Sequence, residues 1–182
     1  EVAHLHSRTS IQVPVLVERA KEDGPTVLVM AGLHGDELNG IEIVRRFLRK
    51  KLNKPSKGTI ICLPIFNIFG FLNLQRELPD GRDLNRSFPG SNTGSLASQF
   101  AYHFMKEIAP HCDYLIDFHT GAAQRNNYSQ IRCVFSDPED LNQSGQHWEY
   151  LNSLPVAARE KPGSPLLRWQ YLQPVSGLKG PF

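Results

Sequence analysis

With 182 residues, 40% of them hydrophobic and 21% charged, the chain has the composition of an ordinary globular domain. That composition excludes a disordered tract, a collagen-like repeat or a disulfide scaffold as a description of the whole. Lys and Arg total 20 against 18 acidic residues, and a net charge of +2 removes the electrostatic case for nucleic acid or an anionic membrane as partner.

Residues 11 to 18, Ile-Gln-Val-Pro-Val-Leu-Val-Glu, are expected to form an edge strand, because Pro14 lacks the N–H that a central ladder needs. Turn residues from Lys21 to Pro25 precede a continuous apolar run, Thr26 to Ala31, the pattern of a strand covered on both faces. The run closes in Gly32-Leu33-His34-Gly35-Asp36-Glu37. From Leu38 to about Leu52 apolar residues recur at Leu38, Ile41, Val44 and Leu48, which is helical spacing. Thr59 to Leu63 reads as a second buried strand. The stretch from Phe66 to Gly94, rich in Asn, Gly, Pro and Arg, reads as a long irregular loop, and such loops are usually functional or mobile. Leu96 to Ile108 is again helical, with Phe100, Phe104 and Ile108 at fourfold spacing. Asp113 to His119 and Ile131 to Phe135 complete the expected strands, and none is expected from Glu160 to Phe182. Strands alternating with helices imply an α/β fold with a mixed, mostly parallel sheet flanked by helices. The expected catalytic domain spans 1–137. Residues 138–182 form a C-terminal segment of uncertain structure that need not be complete.

Cys62, Cys112 and Cys133 are scattered, with neither zinc-ligand nor redox spacing, which fits a reducing compartment. The chain opens Glu1-Val2-Ala3-His4 without the pattern of a signal peptide, and no apolar run reaches membrane-spanning length. A cytoplasmic protein is the expectation, with no nucleic-acid or membrane partner.

In open α/β sheets, ligands bind outside the carboxyl ends of the strands. His34 and Glu37 follow one strand, and His119 closes another. Two imidazoles and one carboxylate are the donor set of a catalytic zinc site that keeps its fourth position open for water. The pKa of that water falls to about 7. A spacing of three lets His34 and Glu37 point at one centre from a helix start or a tight turn. Asp117 lies two residues before His119, hence on the same face of the strand, placed to hydrogen-bond it. A lone histidine is more often structural. Three such residues at strand ends beside glycines favour a metal, one zinc ion per chain.

The loop Arg76-Glu77-Leu78-Pro79-Asp80-Gly81-Arg82-Asp83-Leu84-Asn85-Arg86-Ser87-Phe88-Pro89-Gly90 carries three arginines within eleven residues. By itself a charge run of this kind is a solvated surface. Facing a zinc site, arginine is suited to bidentate carboxylate binding and to stabilising an oxyanion. Asn85 adds a neutral donor and acceptor beside Arg86.

Gly32-Leu33-His34-Gly35-Asp36-Glu37, Asp83-Leu84-Asn85-Arg86 and Asp117-Phe118-His119-Thr120, in that order, resemble the succinylglutamate desuccinylase/aspartoacylase family. The resemblance runs from roughly Pro25 to Asp137. It implies a fold and site similar to those of the zinc carboxypeptidases, with zinc ligands at His34, Glu37 and His119. It implies that Asn85 and Arg86 hold a substrate carboxylate and that Arg76 polarises the scissile carbonyl, a role for which Arg82 competes. Arg125 is a further candidate for substrate contact. The family's general base is a C-terminal glutamate in a Glu-x-Gly-like context, and this chain departs from that pattern. Glu139, Glu149 and Glu160, the glutamates after Asp137, each read as surface.

The expected activity is zinc-dependent hydrolysis of the amide bond in an N-acyl amino acid or a related small carboxylate-bearing substrate. One alternative is a metallocarboxypeptidase trimming peptide tails. Another is a zinc-binding module that lacks the general base.

Overall fold

The computed structural model describes residues 3–4, 10–122, 130–132 and 167–172. Strands β1 (Ala3–His4) and β2 (Ser10–Ile11) form a small antiparallel pair. The described strands of the main sheet are β3 (Leu16–Arg19), β4 (Thr26–Ala31), β5 (Thr59–Leu63), β6 (Tyr114–Phe118), β7 (Gln130–Arg132) and β8 (Leu167–Leu172). They run in the order β3-β5-β4-β6-β8-β7. The four inner strands are parallel, and β3 and β7 lie antiparallel at the two ends. The mixed, mostly parallel sheet expected from the sequence is present.

Helix α1 (Leu38–Arg49) covers one face and α3 (Leu96–Glu107) the other. The strand pleat divides the core between them. Leu28 and Met30 of β4, with Ile61 and Leu63 of β5, pack with Phe100, Ala101 and Phe104 of α3. Val29, Ala31 and Cys62 point the other way, onto Val44, Ile41 and Leu48 of α1. This two-sided burial is why β4 and β5 read as unbroken apolar runs. On α1 the expected stripe begins late: Leu38 is 40% exposed, and Gly40 is buried instead. A Cβ on Gly40 would lie 2.7 Å from the Phe118 carbonyl oxygen, so its hydrogen lets α1 sit against the end of β6.

Three expectations need correction. Pro14 lies outside the main sheet, whose edge strand begins at Leu16. The Phe66–Gly94 stretch is not irregular throughout: it contains α2 (Ile68–Asn73) and a 3₁₀ turn at Leu84–Arg86. The Asn67 side chain caps α2 by accepting from the Gly70 N–H at 2.8 Å. Finally, β8 falls within Glu160–Phe182 and pairs in parallel with β6. Its sequence, Leu167-Arg168-Trp169-Gln170-Tyr171, does alternate apolar with polar, but nearby Pro and Gly residues hide so short a signal.

The order of the strands places the site. From β4 the chain crosses through α1 to β5 on one side, then returns past β4 to β6 on the other. The crevice beyond the carboxyl ends of β4 and β6 is therefore a topological switch point, the place where an open α/β sheet binds ligands.

Candidate metal centre

His34 stands two residues beyond Gly32, whose φ of +65° turns the chain sharply off β4. Glu37 is the N-cap residue of α1, and its backbone N–H donates to the His34 carbonyl at 3.3 Å, so the two side chains share one tight turn. His119 follows directly on β6. The hydrogen bonds of Phe66 N–H to the Ala31 carbonyl (3.1 Å) and Asn67 N–H to the Gly32 carbonyl (2.7 Å) fasten the chain after β5 beneath the same turn.

These elements bring His34, Glu37 and His119 into one buried cluster whose candidate ligand atoms lie within 4.8 Å of one another. Their exposures are 2%, 3% and 2%, so bulk water does not screen them. The two rings meet edge to face with centroids 5.0 Å apart. Both turn Nδ1 toward the same carboxylate: His34 Nδ1 lies 2.7 Å from Glu37 Oε1, and His119 Nδ1 lies 3.0 Å from Oε2. Both turn Nε2 toward an aspartate, Asp83 Oδ1 at 3.1 Å for His34 and Asp117 Oδ2 at 2.8 Å for His119. The Thr120 N–H donates to Glu37 Oε2 at 2.9 Å. Asp117 thus occupies the position behind His119 that its two-residue spacing predicts.

Burial alone would raise the Glu37 pKa, but hydrogen bonds from His119 and His34 outweigh it and hold the carboxylate at about 2. Burial alone would lower that of His119, yet the negative charges of Asp117 and Glu37 raise it to about 9. The cluster is therefore built to hold positive charge. Two inward Nδ1 atoms and a carboxylate converge as lone-pair donors, which repel unless a proton or a cation sits among them. A buried nitrogen, nitrogen and oxygen set of this kind fits zinc, and the aspartates behind both rings are the outer partners that orient ligand histidines.

Arg76 reaches this cluster. Its Nη1 is 3.3 Å from His34 Nδ1 and 3.5 Å from Glu37 Oε1. Its Nε and Nη2 both donate to Asp83 Oδ2, at 3.1 and 2.9 Å. Its side chain is 36% exposed, so the guanidinium stands between the buried cluster and solvent. The rival residue, Arg82, lies exposed at the Asp80–Gly81 turn. Asn85 and Arg86 sit on the 3₁₀ turn capped by Asp83, with Asn85 half-buried and Arg86 exposed. Neither belongs to the three-residue cluster. Arg125, Glu139, Glu149 and Glu160 lie outside the described residues. Asp83 itself received no role from the sequence. The available signal was its place between an arginine and the Asn-Arg pair, where its short side chain suits a turn cap.

Residues 23–167 match the succinylglutamate desuccinylase/aspartoacylase catalytic domain family. Among curated proteins, N-alpha-acetyl-L-2,4-diaminobutyric acid deacetylase of Halomonas elongata is 34% identical over 113 residues, 62% of this chain and 33% of that protein. A succinylglutamate desuccinylase/aspartoacylase crystal structure from Rhodobacter sphaeroides superposes with a TM-score of 0.68 at 29% identity, over 75% of this chain and 42% of the other. The ectoine utilization protein EutE (DoeB) of Ruegeria pomeroyi, with product bound, shares the fold at a TM-score of 0.72 and 22% identity, over 93% and 57% of the two chains. This chain thus spans about a third of the length of the curated relative. A domain-length match, together with the convergence of the three ordered motifs at one sheet edge, settles the family: the chain belongs to the succinylglutamate desuccinylase/aspartoacylase family.

Proposed function

We propose that the chain holds one zinc ion through His34, Glu37 and His119 and hydrolyses the amide bond of a small N-acyl amino acid. The observation that carries this reading is the buried His/Glu/His cluster with the Arg76 guanidinium 3.3 to 3.5 Å from it. The curated relative, named as a deacetylase of an N-acetylated diamino acid, supports the substrate class.

Zinc bound there would supply Lewis acidity for a carbonyl and a lowered pKa for water. The chain's own residues supply the rest. Asp117 accepts from His119 Nε2 and keeps the ring's Nδ1 turned inward. Glu37 stays ionised at any pH near neutrality. Arg76, fixed by two hydrogen bonds to Asp83, faces its remaining donor toward the cluster, where negative charge would develop on a scissile carbonyl oxygen. Asn85 and Arg86, on the 3₁₀ turn capped by Asp83, would take the substrate carboxylate, the arginine in the bidentate manner open to a guanidinium.

The test is zinc content together with hydrolysis of N-acetyl-diaminobutyrate, N-acetyl-aspartate and N-succinyl-glutamate, each with and without a chelator. One zinc per chain and chelator-sensitive turnover are expected, with His119→Ala abolishing both. Stoichiometric zinc retained by His119→Ala would overturn the ligand assignment. Zinc without turnover of any amide in the wild-type protein would leave a metal-binding module instead of an enzyme.

A further inference from the structure

The net charge of +2 conceals an uneven distribution. Seven of the chain's 20 Lys and Arg residues fall between positions 45 and 57, and no Asp or Glu lies between Glu42 and Glu77. All of these cations are exposed. Arg45 and Arg46 both close on Glu42, Arg45 donating through Nη2 at 2.9 Å and Arg46 through Nε at 2.7 Å. Arg49, Lys50, Lys51, Lys54 and Lys57 have no acidic partner among the described residues. Leu52, flanked by these lysines in the chain, is 57% exposed.

The last turn of a helix favours a cation or two, which complement its dipole, and Arg46 and Arg49 meet that need in α1. The remaining cations go beyond it, and one is held at a conformational cost. The Lys51 N–H donates to the Leu48 carbonyl at 2.9 Å and the Leu52 N–H to the Phe47 carbonyl at 3.0 Å, so α1 ends in a Schellman turn. Its left-handed position is Lys51, at φ +56°. Glycine is the residue favoured there, because a Cβ crowds the following carbonyl. The apolar residue that follows commonly folds back onto the helix, whereas Leu52 stands mostly in solvent.

We propose that this end of α1 is a docking surface for an acidic protein segment, one that presents several carboxylates around an apolar side chain. Glu42 shows the pairing on a small scale, one carboxylate shared by two arginines of the surface. Leu52 supplies the apolar contact at the middle of the charged rim. A nucleic acid fits less well: its phosphates have no use for Leu52, and Phe47, the aromatic residue within the run, packs toward the core instead of offering a base a stacking face. A bilayer fits less well too, because interfacial binding needs a wide apolar face, and Ile41, Val44 and Leu48 of α1 are packed against the sheet. The location leaves the crevice open. Helix α1 joins the carboxyl end of β4 to the amino end of the parallel β5, so the basic run lies at the edge of the sheet opposite His34, Glu37 and His119. The inference is therefore independent of the zinc hydrolase reading.

The experiment follows a fluorescein-labelled peptide of Glu-Glu-Leu-Glu repeats by anisotropy, at low and at physiological salt, with thermal unfolding to confirm that each variant is folded. Salt-sensitive binding is expected. Lys50→Glu combined with Lys54→Glu should weaken it at least about tenfold. Leu52→Ser should weaken it about fivefold while keeping the salt dependence. Lys51→Gly separates contact from folding: it should melt no lower than wild type and still bind the peptide more weakly, which a lysine kept for the turn would not do. A wild-type protein that ignores the peptide, or an affinity untouched by the charge reversal, overturns the proposal. So does a peptide with serine for leucine that binds as tightly, or a Lys51→Gly variant that melts lower or binds as well as wild type. Tighter binding at the same salt to a DNA duplex, or to vesicles of phosphatidylserine and phosphatidylcholine, would hand the surface to another partner and overturn it as well. None of these outcomes bears on zinc content or amide hydrolysis, which are measured on residues at the other edge of the sheet.

Discussion

Gly35 shows how little room the turn from His34 to Glu37 has. It lies between His34 and Glu37, and a Cβ built on it would stand 1.8 Å from the Gly70 carbonyl carbon and 2.1 Å from the Phe71 nitrogen. Both are backbone atoms of α2, so no side chain can swing aside. Gly35→Ala must push α2 off the turn that carries two proposed ligands. Overpacking of this kind costs about 1–3 kcal/mol and sometimes more. A fall in the urea midpoint, with weaker zinc binding, is the expected outcome; a variant as stable and as tight-binding as wild type would mean that the two backbones do not meet. At this scale the sequence was most informative where chemistry is rare. His34, Glu37 and His119 stand out because histidines beside strand-end glycines are few. Asp83 did not stand out, since its partners are 49 and 7 residues away and a carboxylate among arginines looks like solvated surface.

Among the elements, α2 carries the most consequence for its size. Asn67 is fully buried and serves it twice: Oδ1 accepts the Gly70 N–H, and Nδ2 donates to the Arg76 carbonyl at 3.2 Å. The same side chain therefore starts the helix and anchors the loop that delivers Arg76. Asn67→Ala removes the cap and strands two buried polar groups, a loss of about 1–3 kcal/mol. It should also lower turnover more than zinc affinity, because Arg76 loosens while the proposed ligands stay in place. Equal losses in both would show that the metal turn depends on Asn67 as much as the arginine does. The sequence read β4, β5, β6, α1 and α3 within a few residues because each has a long period or a continuous apolar run. Both α2 and β8 were missed for opposite reasons. The first is six residues long, inside a stretch dominated by turn formers; the second has a valid alternation surrounded by Pro and Gly.

For the molecule as a whole, the cluster ties stability to protons and, if it holds the proposed zinc, to metal. In the metal-free protein His119 has a pKa of about 9, above the value of about 6.5 for an unfolded histidine. A group whose pKa rises on folding stabilises the fold below the unfolded value, and that contribution disappears as pH climbs through the folded one. The metal-free protein should therefore lose stability between about pH 6.5 and pH 9, by at most about 3 kcal/mol. Zinc must behave in the opposite sense, because a ligand histidine has to be neutral and binding expels its proton. Apparent zinc affinity should rise about tenfold per pH unit over the same window and level off near pH 9. With zinc at 100 times its dissociation constant, stability gains about 2.7 kcal/mol, and the alkaline decline should flatten because His119 is already deprotonated. Thermal melts from pH 6 to 10, with and without zinc, test both slopes, and Asp117→Asn should shrink both by removing the principal anion that holds the proton. Parallel curves with and without metal would mean that zinc and the His119 proton do not compete, and that the ion binds somewhere other than between the two rings.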